Sequence, residues 1–149
     1  MYKKNREVTD IHHIKAIFDL STVCHVAFNN TPAPYVLPLN YGYHDNKLYL
    51  HTANQGLKLE LIKKNNNVGF EIENKIQLVQ GEKGTTLKYQ SIVGEGIIEI
   101  INDDEEKQTA LKYLIEHHGG KFERHSEMSL AGVTMLVINI TKLTAKANL

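Results

Sequence analysis

From Ile11 the apolar positions recur at Ile14, Ile17 and Phe18, the spacing of one helix face, and Thr9 or Asp10 ahead of them can cap the first turn. This pattern predicts a helix from Ile11 to about Leu20 or Ser21. Val23 to Phe28 then reads as a short strand, closed by the turn Asn29-Asn30-Thr31-Pro32. Pro34 to Tyr43 resumes extended structure, with Tyr35, Leu37, Leu39 and Tyr41 on one face and Val36, Pro38 and Asn40 on the other. Pro38 cannot donate to a ladder, so this strand is expected to be irregular there or to lie at a sheet edge. Asp45-Asn46 is a turn, and Lys47 to His51 is the next strand.

Asn54 to Lys64 reads as a helix with Leu57, Leu61 and Ile62 on its apolar side, ended by Asn65-Asn66-Asn67. Val68 to Glu73 alternates as a strand. Thr85 to Ile101 is a long strand interrupted by Gly94-Glu95-Gly96, where glycines suggest a bulge or a sharp bend. Asp103 or Asp104 caps a helix to about His118, with Ala110, Leu111, Leu114 and Ile115 inward and Gly119-Gly120 as its stop. Val133 to Ile140 is the last expected strand, and Thr141 to Leu149 is expected to be a loose end.

About six strands and three helices result, the first three strands too closely spaced for crossover helices. The expectation is a mainly β fold, one antiparallel barrel with peripheral helices, in a single domain over residues 1–149.

The totals narrow the function. The chain carries 17 basic and 17 acidic side chains, which argues against a broad nucleic-acid face or electrostatic adhesion to a membrane. The single cysteine, Cys24, rules out an intramolecular disulfide and fits a reducing compartment. The polar start MYKKNREVTD does not read as a signal peptide, and no stretch approaches the roughly 20 apolar residues of a membrane span. A cytoplasmic protein is expected.

Chemistry is sparse in the bare residues. Among eight histidines, His12-His13 and His117-His118 are adjacent on helices, pointing about 100° apart, and no HxxxH, HExxH or CxxC pattern occurs. No metal is expected from spacing. Cys24 reads as a core cysteine, since His25 faces the other side of its strand. No GxSxG elbow, P-loop or GxGxxG fingerprint is present. The run His51-Thr52-Ala53-Asn54-Gln55-Gly56-Leu57-Lys58 passes from a strand end into a helix start. The Thr52 hydroxyl, free backbone N–H groups, the helix dipole and Lys58 would together suit one phosphate. The alternative is a plain helix cap with a solvated lysine.

Four stretches in order carry a family resemblance: Arg6-Glu7-Val8-Thr9-Asp10; Pro34-Tyr35-Val36-Leu37-Pro38-Leu39-Asn40-Tyr41-Gly42-Tyr43; the His51-Thr52…Gly56-Leu57-Lys58 turn; and Lys88-Tyr89-Gln90-Ser91-Ile92-Val93-Gly94-Glu95-Gly96 followed by Glu105-Glu106-Lys107…Ala110-Leu111. Together they resemble the nitroimidazole-resistance (Nim) branch of the pyridoxamine 5′-phosphate oxidase-like flavoproteins, over roughly residues 6 to 142. The resemblance implies a six-stranded split barrel that forms a homodimer, with FMN at the subunit interface. It implies that Pro38, Leu39, Asn40 and Tyr41 lie along the flavin ring and that Thr52 and Lys58 hold the phosphate. Tyr89, Gln90 and Ser91 would reach the partner's flavin. His51 matches a histidine near the flavin that could orient a substrate or hand over a proton, as the near-neutral titration of an imidazole permits.

Position 90 departs from the family, which usually has arginine there; Gln90 can hydrogen-bond but brings no charge. The C-terminal substrate signature of true pyridoxamine phosphate oxidases is not matched, so vitamin B6 oxidation is not expected. The resemblance implies a reductase taking electrons from NAD(P)H, via FMN, to a small electrophile such as a nitroaromatic or a quinone. The alternatives are a non-enzymatic flavin carrier or redox sensor, and a haem-binding split barrel with His25, His44, His51 or His125 as axial ligand.

Overall fold

A computed structural model of the chain describes residues 2–125 and 127–149. After a 3-10 turn at Lys4–Arg6 the elements are β1 (Glu7–Val8), α1 (Ile11–Leu20), β2 (Val23–Phe28), β3 (Tyr35–Asn40), β4 (Gly42–His44), β5 (Lys47–Thr52) and α2 (Leu57–Lys64). They continue with β6 (Asn67–Gly81), β7 (Gly84–Ile101), α3 (Asp104–His117), α4 (Glu127–Ala131) and β8 (Thr134–Asn148). Every strand pair is antiparallel. The sheet runs β3-β2-β6-β7-β8-β5-β4, and β1 attaches to the far end of β8. The mainly β fold with peripheral helices is as expected. No described helix is long and apolar enough to cross a membrane.

The expected six strands become eight among the described residues. The run Pro34 to Tyr43 divides at Tyr41 into β3 and β4, and Glu7–Val8 pairs with Lys146 and Ala145. Thr141 to Leu149 is no loose end: β8 continues to Asn148, because Leu143 and Ala145 alternate with Lys142, Thr144 and Lys146, and Ala145 is buried. β6 likewise runs past Glu73 to Gly81 and forms a long hairpin with β7, with Leu78 opposite Leu87.

Side-chain caps fix the starts of α1 and α3. Asp10 Oδ1 accepts from the His12 N–H at 3.0 Å, and Asp103 Oδ2 accepts from the Glu106 N–H at 3.0 Å. Of the apolar stripe on α1, Ile17 and Phe18 are fully buried, but Ile11 is 73% exposed because it stands on the first turn, before the helix meets the sheet. The barrel interior is filled by Val26, Phe28, Leu48, Leu50, Phe70, Ile72, Ile92, Ile98, Leu136 and Ile138. Leu59, Leu61 and Ile62 of α2 join that core, whereas Ala110 and Leu114 of α3 pack with Ile101 and Met135 in a second cluster.

The Gly94–Gly96 interruption is a bulge: Glu95 pairs with Lys142 and Gly96 with Ile140, leaving Thr141 over. A Cβ on Gly94 would lie 2.4 Å from the Phe70 ring, and one on Gly96 would lie 2.5 Å from Ile138 Cγ2. Only glycine lets the bent strand press this closely on the core.

β3 and β4 are the two ends of the sheet path, yet a single residue, Tyr41, joins them. The barrel is therefore closed through the chain and not by a ladder. Side chains pin this seam. The Tyr41 N–H donates to Thr22 O at 3.1 Å, and His118 Nε2 donates to Tyr41 O at 3.0 Å. His117 Nδ1 accepts from the Tyr43 N–H at 3.2 Å while its Nε2 donates to Ser21 O at 2.7 Å. The adjacent histidines at the C-terminal end of α3 thus serve as backbone clamps. Cys24 is fully buried beside the seam, and burial pushes its thiol up to about 12, so it is an inert core residue as expected.

Candidate cofactor site

The turn between β5 and α2 gathers several hydrogen-bond donors. Thr52 ends β5 with its side chain nearly buried, and Lys58 stands half-buried in the first turn of α2. Gly56 precedes the helix at φ 137°, a conformation that side chains rarely adopt, and no side chain caps the helix N-terminus. The first-turn N–H groups therefore keep their donor capacity. Asn54 anchors the turn from behind: its Nδ2 donates to Ala131 O at 2.9 Å, and its Oδ1 accepts from Thr134 Oγ1 at 2.7 Å. Backbone donors, a hydroxyl and an ammonium group form a donor set that fits a phosphate monoester.

β3 offers an exposed strip. Val36, Pro38 and Asn40 are exposed, while Tyr35, Leu37 and Leu39 turn toward the core. The strand is at a sheet edge, as Pro38 requires, so its outer backbone groups have no ladder partner. Pro38 and Asn40 thus present their side chains at the surface. Leu39 supports the strip from behind. Tyr41 is fully buried, with its hydroxyl donating to Phe18 O at 2.6 Å, so it shapes the strip without facing outward.

The third group stands apart. β2 and β6 separate β3 from β7, so Tyr89, Gln90 and Ser91 do not join the β3 strip within one chain. Tyr89 and Ser91 face outward and partly exposed, and the Arg6 side chain hydrogen-bonded to the Tyr89 phenol, with Lys146 nearby, holds it below its usual range. Gln90 points inward and is buried. Its Nε2 donates to Asn74 Oδ1 at 2.6 Å, and its Oε1 accepts from His13 Nε2 at 3.1 Å. Asn74 in turn donates to Ser21 Oγ at 2.6 Å and to Ile17 O at 3.1 Å. The residue that departs from the family is thus a structural bridge between α1 and the β6–β7 ladder.

His51 is exposed at the end of β5 and lines an apolar cleft of about 380 Å³ together with Leu111, Leu114, Leu130, Met135 and His125. His125 is fixed from α3: Gln108 Nε2 donates to its carbonyl at 2.6 Å, and its N–H donates to Gln108 Oε1 at 3.1 Å. Sequence reasoning did not foresee this cleft, because its outer wall is α4, a five-residue helix with no readable period. Of the other histidines considered as haem ligands, His25 is hydrogen-bonded to Glu71, and His44 is stacked on Tyr113 with ring centres 3.8 Å apart.

Known proteins share this fold. A 5-nitroimidazole antibiotic resistance protein, so far only proposed as such, from Bacteroides thetaiotaomicron is 28% identical, with a TM-score of 0.88 over 95% of this chain and 86% of that one. A FAD- and haem-binding protein from Mycobacterium smegmatis has a TM-score of 0.82 at 16% identity, over 96% of this chain and 73% of that one. A FAD-binding protein from Mesorhizobium loti has a TM-score of 0.71 at 20% identity, over 97% and 98%. The last two likenesses concern the fold. No curated protein matches the chain in sequence. The pattern of the pyridoxamine 5′-phosphate oxidase family matches residues 10–147, nearly the whole length, and the chain belongs to that family.

Proposed function

We propose that this chain is a flavoprotein that binds FMN, works as a cytoplasmic homodimer, and reduces a small electrophile such as a nitroaromatic or a quinone with electrons from NAD(P)H. The observation that carries the reading is the phosphate donor set of Thr52, the uncapped α2 N-terminus and Lys58, at the end of β5, a strand that also touches β3. Thr52 and Lys58 hold the phosphate, Pro38 and Asn40 meet the ring, and Leu39 and Tyr41 support the strip from behind. Bound there, FMN supplies reversible two-electron chemistry that no side chain of this protein provides. His51, at the mouth of the apolar cleft, orients the acceptor and is placed to pass it a proton. The names of the similar solved structures, which include nitroimidazole resistance and flavin binding, support the cofactor class.

Dimerisation is supported by exposed apolar side chains. The β6–β7 hairpin carries exposed Ile76, Leu78 and Leu87, and the sheet face carries exposed Val36 and Val93. A two-stranded ribbon with apolar faces in water is marginal alone. A second copy would cover it and bring Tyr89 and Ser91 to the partner's ring; Gln90, buried in its own chain, would support that hairpin.

One observation favours a second reading. His51 and His125 line one apolar cleft, an environment suited to haem, which the Mycobacterium smegmatis protein is named as binding. The visible spectrum after separate addition of FMN and haemin, with removal of the unbound fraction, separates the two. Two retained flavin bands near one FMN per chain support the proposal, and a Soret band alone replaces it with haem binding. FMN retention without NAD(P)H oxidation in the presence of nitroaromatic or quinone acceptors would make the protein a flavin carrier or sensor.

A further inference from the structure

His25, Glu71 and Glu73 belong to no part of the proposed flavin site, yet they form a concentrated group of ligand atoms. β2 and β6 are paired with His25 directly opposite Glu71, and Glu73 follows two residues on, which returns its side chain to the same face. His25 Nδ1 is hydrogen-bonded to Glu71 Oε1 and lies 3.8 Å from Glu73 Oε2. The three donor atoms all lie within 4.8 Å of one another.

The arrangement is electrostatically incomplete. Two carboxylates share one imidazole, and among the described residues no Lys or Arg forms an ion pair with either. The carboxyl of Glu73 is held above its usual range, first by the hydrogen bond it shares with Glu71 and then by burial and the repulsion of that neighbour's charge. A proton or a cation relieves such a pair. The imidazole decides between cations. Hard ions such as magnesium and calcium select all-oxygen sites, whereas a nitrogen with two carboxylates suits a divalent first-row transition ion.

We infer that His25, Glu71 and Glu73 form a binding site for a divalent transition-metal ion, zinc being the suitable probe, on the outer face of the β2–β6 ladder. Zinc holds its nitrogen and oxygen ligands about 2.0 to 2.2 Å away, so the donor atoms would settle roughly 3.3 Å from one another, the hydrogen-bonded His25–Glu71 pair opening and Glu73 moving in, a shift within reach of two flexible glutamate side chains. The His25 and Glu71 side chains remain 40% and 38% exposed, which leaves the fourth position to water. Binding transfers any imidazole proton to solvent and leaves nitrogen and both carboxylates as ligands. The three residues are 46 and two positions apart, so no spacing motif announces them; strand pairing alone brings them together.

The test is titration of the purified chain with zinc by calorimetry, alongside His25→Ala and Glu73→Gln. Far-ultraviolet circular dichroism confirms that each variant is folded. Cobalt(II) substitution is a second readout, through its visible d–d bands. One zinc per wild-type chain is expected, with affinity lower by at least about tenfold in each variant, the loss that even an outer-shell partner produces. The cobalt bands should disappear in His25→Ala. Absence of saturable zinc binding by the folded wild-type chain, or unchanged affinity in both variants, overturns the assignment. Glu73→Gln keeps the shape of the side chain, so the test survives if His25→Ala fails to fold.

Discussion

The hydroxyl of Tyr41 donates to the carbonyl of Phe18 at 2.6 Å, with both residues fully buried. This bond ties the last turn of α1, where a carbonyl has no helical partner, to the one residue that joins the two ends of the sheet. Burial raises the Tyr41 phenol far above its ordinary range, so it remains a donor at any working pH. Tyr41→Phe leaves a buried acceptor unsatisfied and should lower stability by about 1–3 kcal/mol. Denaturant unfolding monitored by circular dichroism measures this, and an unchanged midpoint would mean that the seam does not depend on the bond.

Lys58 supplies the full positive charge at the α2 N-terminus. A charge-assisted hydrogen bond contributes about 1.5–3 kcal/mol, so Lys58→Ala should weaken FMN binding about tenfold to a hundredfold without unfolding the protein. Fluorescence titration of FMN reads the affinity. Equal affinity in the variant would remove Lys58 from the phosphate site.

Gln90→Arg restores the residue common in the family and should do harm. The side chain enters a buried network whose partners are His13 and Asn74, with no carboxylate among its hydrogen bonds. An uncompensated buried charge costs about 3 kcal/mol or more, so the unfolding midpoint should fall and FMN affinity should not rise. Tighter FMN binding at unchanged stability would show that position 90 reaches the ligand.

Glu73 gives a pH signature. Its folded-state pKa lies above the ordinary carboxylate value, so the native state holds the proton more tightly than the unfolded chain does. The repulsion from Glu71 is therefore absent at low pH and develops as pH rises through the raised pKa. Glu73→Gln should be neutral at low pH and stabilising above that range, by less than about 1 kcal/mol because the group is largely exposed. Thermal melts of both proteins across the carboxylate range test this; a gain independent of pH would contradict it.

Local signals were legible where they were strong. The caps at Asp10 and Asp103, the edge position of Pro38 and the glycine bulge near Gly94 all follow from residue chemistry acting over a few positions. The strand of Thr141 to Asn148 was missed because its outward residues are lysines and threonines; only the pairing of Ala145 with both Val8 and Ile92 explains its order. Tyr41 read as one more alternating position, although its neighbours on either side belong to opposite ends of the sheet. The phosphate turn was visible as a strand-to-helix passage with a glycine and a lysine. The role of Gln90 and the meeting of His51 with His125 depend on residues 74 to 77 positions away, which no local pattern carries.

Among the described residues β8 is the only ladder connection between β7 and the pair β5–β4, and it follows all the other described strands in sequence. Until it is made, β5 and β7 both present open backbone edges. During synthesis the barrel cannot finish folding when its first two-thirds have left the ribosome; it must wait for the final strand to be threaded between two waiting partners. That delay makes assembly slow relative to local hairpin formation and exposes sticky edges to neighbouring nascent chains. Shortening β8 from its C-terminal end should therefore lower soluble yield before it alters the cofactor turn.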